Sequence, residues 1–195
     1  MKNIEIEVRS FISQKAYKRL RKKLDKEAKF LKSVNEETIY FRAERENKVL
    51  ANRGSYFKGI EGDLRLRRDR DQAFVIFKKG KIHDNSREEI EIKFDRKDFE
   101  KIKKLFVNLG SREVVKWFRK RRVYQWKGTK VFLDDTKGYG FIIELEKIGK
   151  VGEGRKIHQQ LENKLKSLGV KITPKEVFEK KFEYYKKNWQ KILGK

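Results

Sequence analysis

The first predicted strand, Ile4 to Phe11, carries charged residues at alternate positions. Because side chains on a β-strand point alternately to its two faces, Glu5, Glu7 and Arg9 share one face and aliphatic residues occupy the other. A single strand of this kind would turn its charges to water. The same alternation recurs in five later segments, which together carry both signs of charge in quantity. This repetition predicts strands that enclose a charge-lined interior.

The remaining predicted elements define the fold class. Apolar residues at helical spacing predict helices from Ser13 to about Ala28, from Asp95 or Asp98 to Leu109, from Glu153 to Leu168 and from Pro174 to Leu193. A polar, glycine-containing stretch from Arg45 to Gly62 predicts a long loop. The predicted class is α+β, a closed antiparallel β-barrel whose apolar faces point outward under the helices and whose charged faces line a tunnel. Further strands are predicted around Thr38 to Phe41 and at Asp63 to Asp69, Gln72 to Lys79, Ser86 to Phe94, Val114 to Trp126, Lys130 to Asp135 and Phe141 to Ile148.

The composition indicates anionic partners. The 195 residues include 53 Lys and Arg against 29 Asp and Glu, a formal net charge of +24, which favours nucleotides, polyphosphates or nucleic acid as partners. With 37% hydrophobic residues, residues 1–195 can form one domain, its helices from about residue 153 serving as an outer cover or lid. The absence of cysteine excludes disulfides and thiolate zinc sites. No apolar run could span a bilayer, so we expect a cytoplasmic protein without membrane contact, either a monomer or a homodimer.

The charged faces together form a balanced set of acids and bases. Buried ions are costly unless they are paired or solvated, so this lining is expected in a wet cavity that receives charged ligands. A triphosphate, with a charge of roughly −4, and two divalent cations would keep such a site neutral. Oxygen ligands alone favour Mg²⁺ or Mn²⁺ over zinc. The acids are Glu5, Glu7, Glu89, Glu91, Asp134, Glu144 and Glu146, and the bases are Arg9, Arg65, Arg67, Lys78, Arg87, Arg119 and Arg121.

Six motifs, in order from residue 4 to residue 146, resemble those of the CYTH superfamily, also called triphosphate tunnel metalloenzymes. This superfamily includes class IV adenylyl cyclases, thiamine triphosphatases and inorganic triphosphatases. Each motif alone is weak, but six in sequence are specific. The matches are the opening Glu-x-Glu-x-Lys at Glu5, Glu7 and Arg9, a paired-arginine strand at Arg65 and Arg67, a Lys-Gly strand end at Lys78 to Gly80, Arg87 with Glu89 and Glu91, Arg119 with Arg121 and Tyr124, and Asp134 with Gly138, Gly140, Glu144 and Glu146.

The resemblance implies an eight-stranded antiparallel tunnel that binds a triphosphate with two Mg²⁺ or Mn²⁺ ions. It implies catalytic roles for Glu5, Glu7 and Arg9. It further implies that metal is held by Glu5, Glu7, Glu144 and Glu146, with Glu89, Glu91 and Asp134 as further ligands. The triphosphate would be held by Arg9, Arg65, Arg67, Lys78, Arg87, Arg119 and Arg121.

The sequence departs from the family pattern where Arg9 and Arg119 replace lysine. Arginine stays protonated, so Arg9 cannot act as a base and the general base is unassigned. The leading hypothesis is a metal-dependent phosphohydrolase acting on tripolyphosphate or on a nucleoside or other organic triphosphate. The alternatives are a class IV adenylyl cyclase, which makes cyclic AMP and pyrophosphate from ATP, and a non-catalytic module that binds RNA or polyphosphate.

Overall fold

A computed structural model describes residues 3–43, 62–79, 86–150 and 152–194. Most of the predicted loop from Arg45 to Gly62 lies outside the described residues. The strands and helices follow the predicted order, and no described helix is long and apolar enough to cross a membrane. The strands are β1 (Asn3–Ile12), β2 (Lys29–Ala43), β3 (Gly62–Arg68), β4 (Ala73–Lys79), β5 (Ser86–Arg87), β6 (Glu89–Phe94), β7 (Ser111–Trp126), β8 (Thr129–Thr136) and β9 (Gly140–Lys150). The helices are α1 (Gln14–Glu27), α2 (Phe99–Asn108, after a 3-10 turn at Arg96–Asp98), α3 (Gly154–Ser167) and α4 (Lys175–Leu193).

The nine strands form one antiparallel sheet in the order β5-β1-β9-β8-β7-β2-β3-β4-β6. β5 pairs with β1 and β6 pairs with β4, although only Glu88 separates β5 from β6 along the chain. Counted as one interrupted strand, β5 and β6 reduce the sheet to eight strands. The α+β class and the antiparallel sheet are confirmed. The closed barrel is not, because the strand that was predicted as continuous breaks at Glu88 and the hydrogen-bonded order of the described strands ends at β5 and β6.

The largest hydrophobic core lies on the outer face of the sheet, beneath α1 and α3. Ile6 and Val8 of β1 point into this core, and so do the alternate residues Leu133 of β8 and Leu145 of β9. The Ser13 hydroxyl caps α1 by accepting a hydrogen bond from the Ala16 N–H at 3.1 Å. The outward apolar face therefore holds the helices, and the charged face of the same strands is left to line the inside.

α4 packs differently, over the inner residues at one end of the sheet. Trp117 of β7 stacks on Tyr185 of α4, with ring centroids 4.2 Å apart and planes 8° from parallel. The Tyr185 hydroxyl donates a hydrogen bond to the Lys116 carbonyl at 3.1 Å. Phe178 and Phe182 of α4 belong to the same aromatic cluster. This helix closes one end of the space inside the sheet.

Tyr124, a residue of the family motif, points away from the charged face and anchors α1. Its hydroxyl donates to Asp25 of α1 at 2.7 Å and accepts from Arg122 Nε at 2.8 Å. We expect Tyr124→Phe to lower the free energy of unfolding by about 1–3 kcal/mol, because both hydrogen bonds of the hydroxyl are lost. Urea denaturation measures this change, and Tyr184→Phe, at a ring position 65% exposed on α4, is the control. Equal midpoints for the Tyr124 variant and the wild type would contradict this role.

Candidate functional site

The charged faces enclose a cavity of about 850 Å³. Its lining mixes acidic and basic side chains from eight of the strands. Apolar residues Ile4, Leu31 and Ile148 also contact it. The predicted site residues that line it are Glu5, Glu7, Arg9, Arg65, Arg67, Lys78, Glu89, Glu91, Arg119, Arg121, Glu144 and Glu146.

Two predicted site residues are placed differently. Asp134 lines a smaller neighbouring cavity and is 2% exposed, because its carboxylate is turned onto Arg121. Arg87 is paired through its backbone with Glu5, but its side chain lies outside the described part of the chain. The cavity therefore collects the predicted charges, with Asp134 behind its wall.

Strand register sets the order of the charges along the cavity. Glu7 of β1 lies opposite Glu146 of β9, and Arg9 lies opposite Glu144. Since both strands place these residues on the inner face, four charged side chains meet at one wall. Acids and bases are therefore neighbours across the paired strands as well as along each strand.

A chain of ion pairs crosses β2, β7, β8 and β9. Asp134 accepts two hydrogen bonds of 2.7 Å from Arg121, one from Nε and one from Nη2. Arg119 Nη1 donates to Asp134 at 3.3 Å, and its Nη2 donates to Glu36 at 2.6 Å. Arg121 Nη2 also lies 3.5 Å from Glu144. Both guanidinium groups are consequently fixed in orientation by carboxylates on neighbouring strands.

Lys78 lies between two acids of the cavity. Its Nζ is 2.6 Å from Glu5 and 2.5 Å from Glu89. The pKa of Glu5 is raised to about 8, mainly because the carboxyl is buried; Lys78 opposes the rise, and the nearby Glu146 and Glu89 carboxylates add to it. Burial, together with Glu144, also raises the pKa of Glu146. Glu5 and Glu146 are therefore short of positive charge, whereas Lys78 outweighs burial at Glu89 and lowers its pKa.

Arg65 and Arg67 are oriented toward the cavity by neighbours on β2, β3, β4 and β6. Arg65 Nη2 donates to the buried Asp63 at 2.9 Å, and its guanidinium lies 4.4 Å from the centre of the Tyr40 ring. Its Nε is buried without a hydrogen-bond acceptor. Arg67 Nη2 donates to Glu91 at 2.7 Å. A buried donor without an acceptor is unfavourable, so an anion in the cavity would satisfy it.

The smaller cavity, of about 90 Å³, lies where the main cavity meets α4. Arg9, Arg65, Arg67 and Arg119 contact both cavities, so arginine side chains are concentrated toward the end that α4 closes. The Arg9 guanidinium lies 4.8 Å from the centre of the Phe178 ring of α4. Aromatic residues of β7 and α4 complete the lining. This end can hold an anionic group against guanidinium and aromatic surfaces.

Sequence analysis missed two buried acids at the site. Glu36 is 7% exposed and Asp63 is 6% exposed, and each holds an arginine. Had the β2 alternation been extended backwards from Tyr40 through Thr38, it would have placed Glu36 on the inner face. Burial alone would raise the pKa of Glu36, but Arg119 and Arg121 outweigh it and lower the pKa to about 2. Glu36 therefore stays ionised.

The acids of the cavity fit a divalent cation by donor type and by charge. Their ligand atoms are all oxygens, which Mg²⁺ and Mn²⁺ prefer. The raised pKa values of Glu5 and Glu146 show that added positive charge would be favourable there. Within the described ranges no three acidic or histidine side chains converge on one ligating point, because Lys78 and Arg121 bind several of these carboxylates.

Comparison with known proteins identifies similar chains. The model of the CYTH domain family matches residues 3–176. A candidate adenylate cyclase of Methanocaldococcus jannaschii is 34% identical over 125 residues, which cover 59% of this chain and 70% of that protein. The PH1819 protein of Pyrococcus horikoshii OT3 has a solved structure with a TM-score of 0.70 and 26% identity, covering 88% of this chain and 93% of that one.

A plant protein shares the same fold at lower identity. It is a candidate adenylyl cyclase from Hippeastrum, whose structure is described as revealing a dominant triphosphatase activity. The TM-score is 0.61 at 20% identity, covering 87% of this chain and 89% of that one. At this identity, the likeness shows the fold alone.

Proposed function

Because the chain belongs to the CYTH domain family, we propose that it is a divalent-metal-dependent phosphohydrolase that acts on tripolyphosphate or on an organic triphosphate. The observation that carries the proposal is the cavity of about 850 Å³ in which carboxylates and guanidinium groups from six strands face one another. Metal ions with a triphosphate supply both signs of charge that such a lining can bind. The interrupted strand β5–β6 would complete the wall of the tunnel.

The phosphate chain would be bound by the arginine side chains nearest α4 and by Arg121, which lies two residues from Arg119 on the same face of β7. Arg121 has five N–H donors, of which Asp134 and Glu144 leave the Nη1 pair unused. Arg65 has a buried Nε without an acceptor. Guanidinium groups fixed by carboxylates lose little freedom when they bind phosphate oxygens, so they can align the chain for in-line attack. The aromatic surface of α4 excludes water from this end.

The metal would be held by the carboxylates of β1 and β9: Glu5, Glu7, Glu144 and Glu146, with Glu89 and Glu91 as further ligands. Asp134, expected from the motif as a further ligand, would instead hold Arg121, because both of its carboxylate oxygens bind that guanidinium. Two Mg²⁺ or Mn²⁺ ions, when bound, would neutralise developing charge on the phosphate and lower the pKa of a water nucleophile. Lys78 then contacts phosphate rather than Glu5 and Glu89. Arg9 binds phosphate but does not exchange protons, since arginine stays charged.

Product identification tests this function. The purified chain is incubated with tripolyphosphate, ATP or thiamine triphosphate and with Mg²⁺ or Mn²⁺, and the products are separated by chromatography. We expect orthophosphate from at least one substrate, and none when the metal is chelated. A chain that releases orthophosphate from none of them under any metal would contradict the proposal.

A class IV adenylyl cyclase is the second candidate, favoured by the name of the relative that is 34% identical. Its reaction differs in the nucleophile, which is the ribose 3′-hydroxyl instead of water. Cyclic AMP and pyrophosphate as the products from ATP would establish it, whereas ADP and orthophosphate would exclude it.

The third alternative, a non-catalytic RNA or polyphosphate module, is based on the net charge of +24. It predicts salt-dependent RNA binding without turnover.

Metal affinity should depend on pH through Glu5. Below pH 8 the raised pKa of about 8 keeps a proton on the carboxyl, and the metal must displace it. We expect Mg²⁺ affinity to rise by up to about tenfold per pH unit between pH 6 and 8 and then to level off, with release of about one proton per binding event. Calorimetry in two buffers of different ionisation enthalpy measures the proton count. Glu5→Gln should reduce the slope to the part that Glu146, whose pKa is also raised, contributes. An affinity independent of pH in the wild type would contradict the assignment.

A further inference from the structure

We propose that Glu36 is a positioning residue that sets the orientation of the Arg119 guanidinium in the phosphate-binding site. Glu36 belongs to β2 and lies directly opposite Arg119 of β7 in the sheet register. Its Oε2 accepts two hydrogen bonds from Arg119, from Nη2 at 2.6 Å and from Nε at 3.1 Å. None of the six family motifs found in this sequence includes Glu36, so the assignment depends on the geometry.

The bonds to Arg119 leave a defined pair of donors for a ligand. Arginine has five N–H groups in one plane. Glu36 accepts one from Nε and one from Nη2, and Asp134 accepts one from Nη1 at 3.3 Å. One N–H on each terminal nitrogen remains. Because the plane is fixed at two edges, these two N–H groups have a fixed direction, which suits bidentate contact with a phosphate.

Arginine at position 119, where the family motif has lysine, gives Glu36 its function. An ammonium group is a point charge on a flexible stem and has no plane to orient. A guanidinium group is planar, and the orientation of its plane depends on the hydrogen-bond acceptors along its edges. Glu36 is 7% exposed and stays ionised beside Arg119 and Arg121. The pair Glu36 and Arg119 therefore acts as a unit, which a change to either residue would disrupt.

Two possible roles of Glu36, orienting Arg119 or only balancing charge, predict opposite changes in the polyanion affinity of Glu36→Gln. If Glu36 only reduced the positive potential of the cavity, then Glu36→Gln would make a polyanion bind more tightly. If Glu36 orients Arg119, the same substitution weakens binding because the donors lose their direction. We expect Glu36→Gln to weaken tripolyphosphate binding by about tenfold and Glu36→Leu, which has no acceptor, by more.

The matched control is the next residue on the same strand. Glu37 points to the outer face, where it binds Arg68 and Lys116 at 2.7 Å and 2.9 Å. Glu37→Gln removes the same charge one residue away, and we expect a change in affinity below about twofold. In an Arg119→Lys background, Glu36→Gln should have little further effect, because the plane that it orients is absent.

Two measurements keep this inference separate from the proposed function. Calorimetry with sodium tripolyphosphate and a chelator gives the affinities without turnover, and this arm rests on the proposed function. Nitrogen-15 spectra of the arginine Nε–H groups, with Arg119 assigned by Arg119→Lys, need no ligand. We expect slow solvent exchange of the Arg119 Nε–H in the wild type and in Glu37→Gln, faster exchange in Glu36→Gln, and loss of protection in Glu36→Leu.

Three outcomes would overturn the inference: unchanged Arg119 exchange in the Glu36 variants, tighter tripolyphosphate binding by Glu36→Gln, or full additivity of Glu36→Gln with Arg119→Lys. If the wild type does not bind tripolyphosphate, the proposed function fails and the exchange measurement alone decides whether Glu36 positions Arg119. Loss of protection in the Glu36 variants then supports the geometry, and retention overturns it.

Discussion

Asp134→Asn is expected to lower the free energy of unfolding by about 3–5 kcal/mol and turnover by about 10³-fold. Both carboxylate oxygens of Asp134 bind Arg121, and one also binds Arg119. Asparagine keeps the shape but removes the anion that Arg121 and Arg119 share, in a site where Asp134 itself is 2% exposed. Arg119 keeps Glu36, and Arg121 keeps the Glu144 carboxylate at 3.5 Å. The loss of stability follows from the uncompensated buried charge, and the loss of turnover follows from the misplaced phosphate ligands.

The neighbouring Asp135 provides the control. It lies on the opposite face of β8 and is half-buried there, so Asp135→Asn should change stability by less than about 1 kcal/mol and leave turnover within about twofold of the wild type. Turnover is measured at a temperature where circular dichroism shows both variants folded. Comparable losses in the two variants would indicate a general effect of charge removal and contradict the role given to Asp134.

Glu5→Gln and Glu144→Gln are expected to abolish most metal-dependent turnover. These residues lie on the adjacent strands β1 and β9, and both line the main cavity. Replacing either carboxylate removes a hard oxygen ligand with its charge, so turnover at fixed Mg²⁺ should fall by about 10³-fold. The metal concentration at half-maximal activity should rise by about 10- to 100-fold.

Glu113→Gln serves as the control for these two variants. Glu113 lies on β7, outside the residues that line the cavity, and pairs with Lys103 of α2. We expect no change in its metal requirement. Glu5→Gln should not lower the free energy of unfolding, because burial already disfavours the charged form of the Glu5 carboxyl in the metal-free chain. If both cavity variants retain wild-type turnover and wild-type ligand affinity, these carboxylates do not hold metal.

Much of the fold could be predicted because one local pattern decides the faces of the strands. In β1 and β9, alternation sends Ile6, Val8, Ile143 and Leu145 outward and the motif charges inward, and the structure follows it. Two aliphatic residues of β9, Ile142 and Ile148, face inward with the acids. The four helices of the described ranges also follow from the spacing of their apolar residues. Family membership, inferred from six motifs in order, is confirmed by the match over residues 3–176.

What could not be predicted depends on non-local contacts. β2 was expected only around Thr38 to Phe41, but pairing with β7 extends it back to Lys29. The segment from Ser86 to Phe94 alternates without interruption, so its change of partner at Glu88 leaves no local signal. Helical spacing predicts α4 but not that its aromatic residues close the cavity.

The ion-pair partners of the charged residues could not be predicted from the sequence either. The sequence shows which residues face inward, yet it does not show that Asp134 binds Arg121, that Lys78 lies between Glu5 and Glu89, or that Glu36 holds Arg119. These choices depend on register and on side-chain conformations across several strands. They decide which guanidinium groups are oriented for phosphate and which carboxylates are short of positive charge.

The most direct test of the central claim is a crystal structure of the chain grown with Mn²⁺ and a non-hydrolysable triphosphate analogue, with anomalous scattering measured at the manganese edge. The proposed function predicts manganese peaks beside Glu5, Glu7, Glu144 and Glu146, with phosphate oxygens on Arg65, Arg119 and Arg121. Manganese and analogue found only on the outer surface, with Lys78 still bound to Glu5 and Glu89, would contradict the claim that this cavity is a metal and triphosphate site.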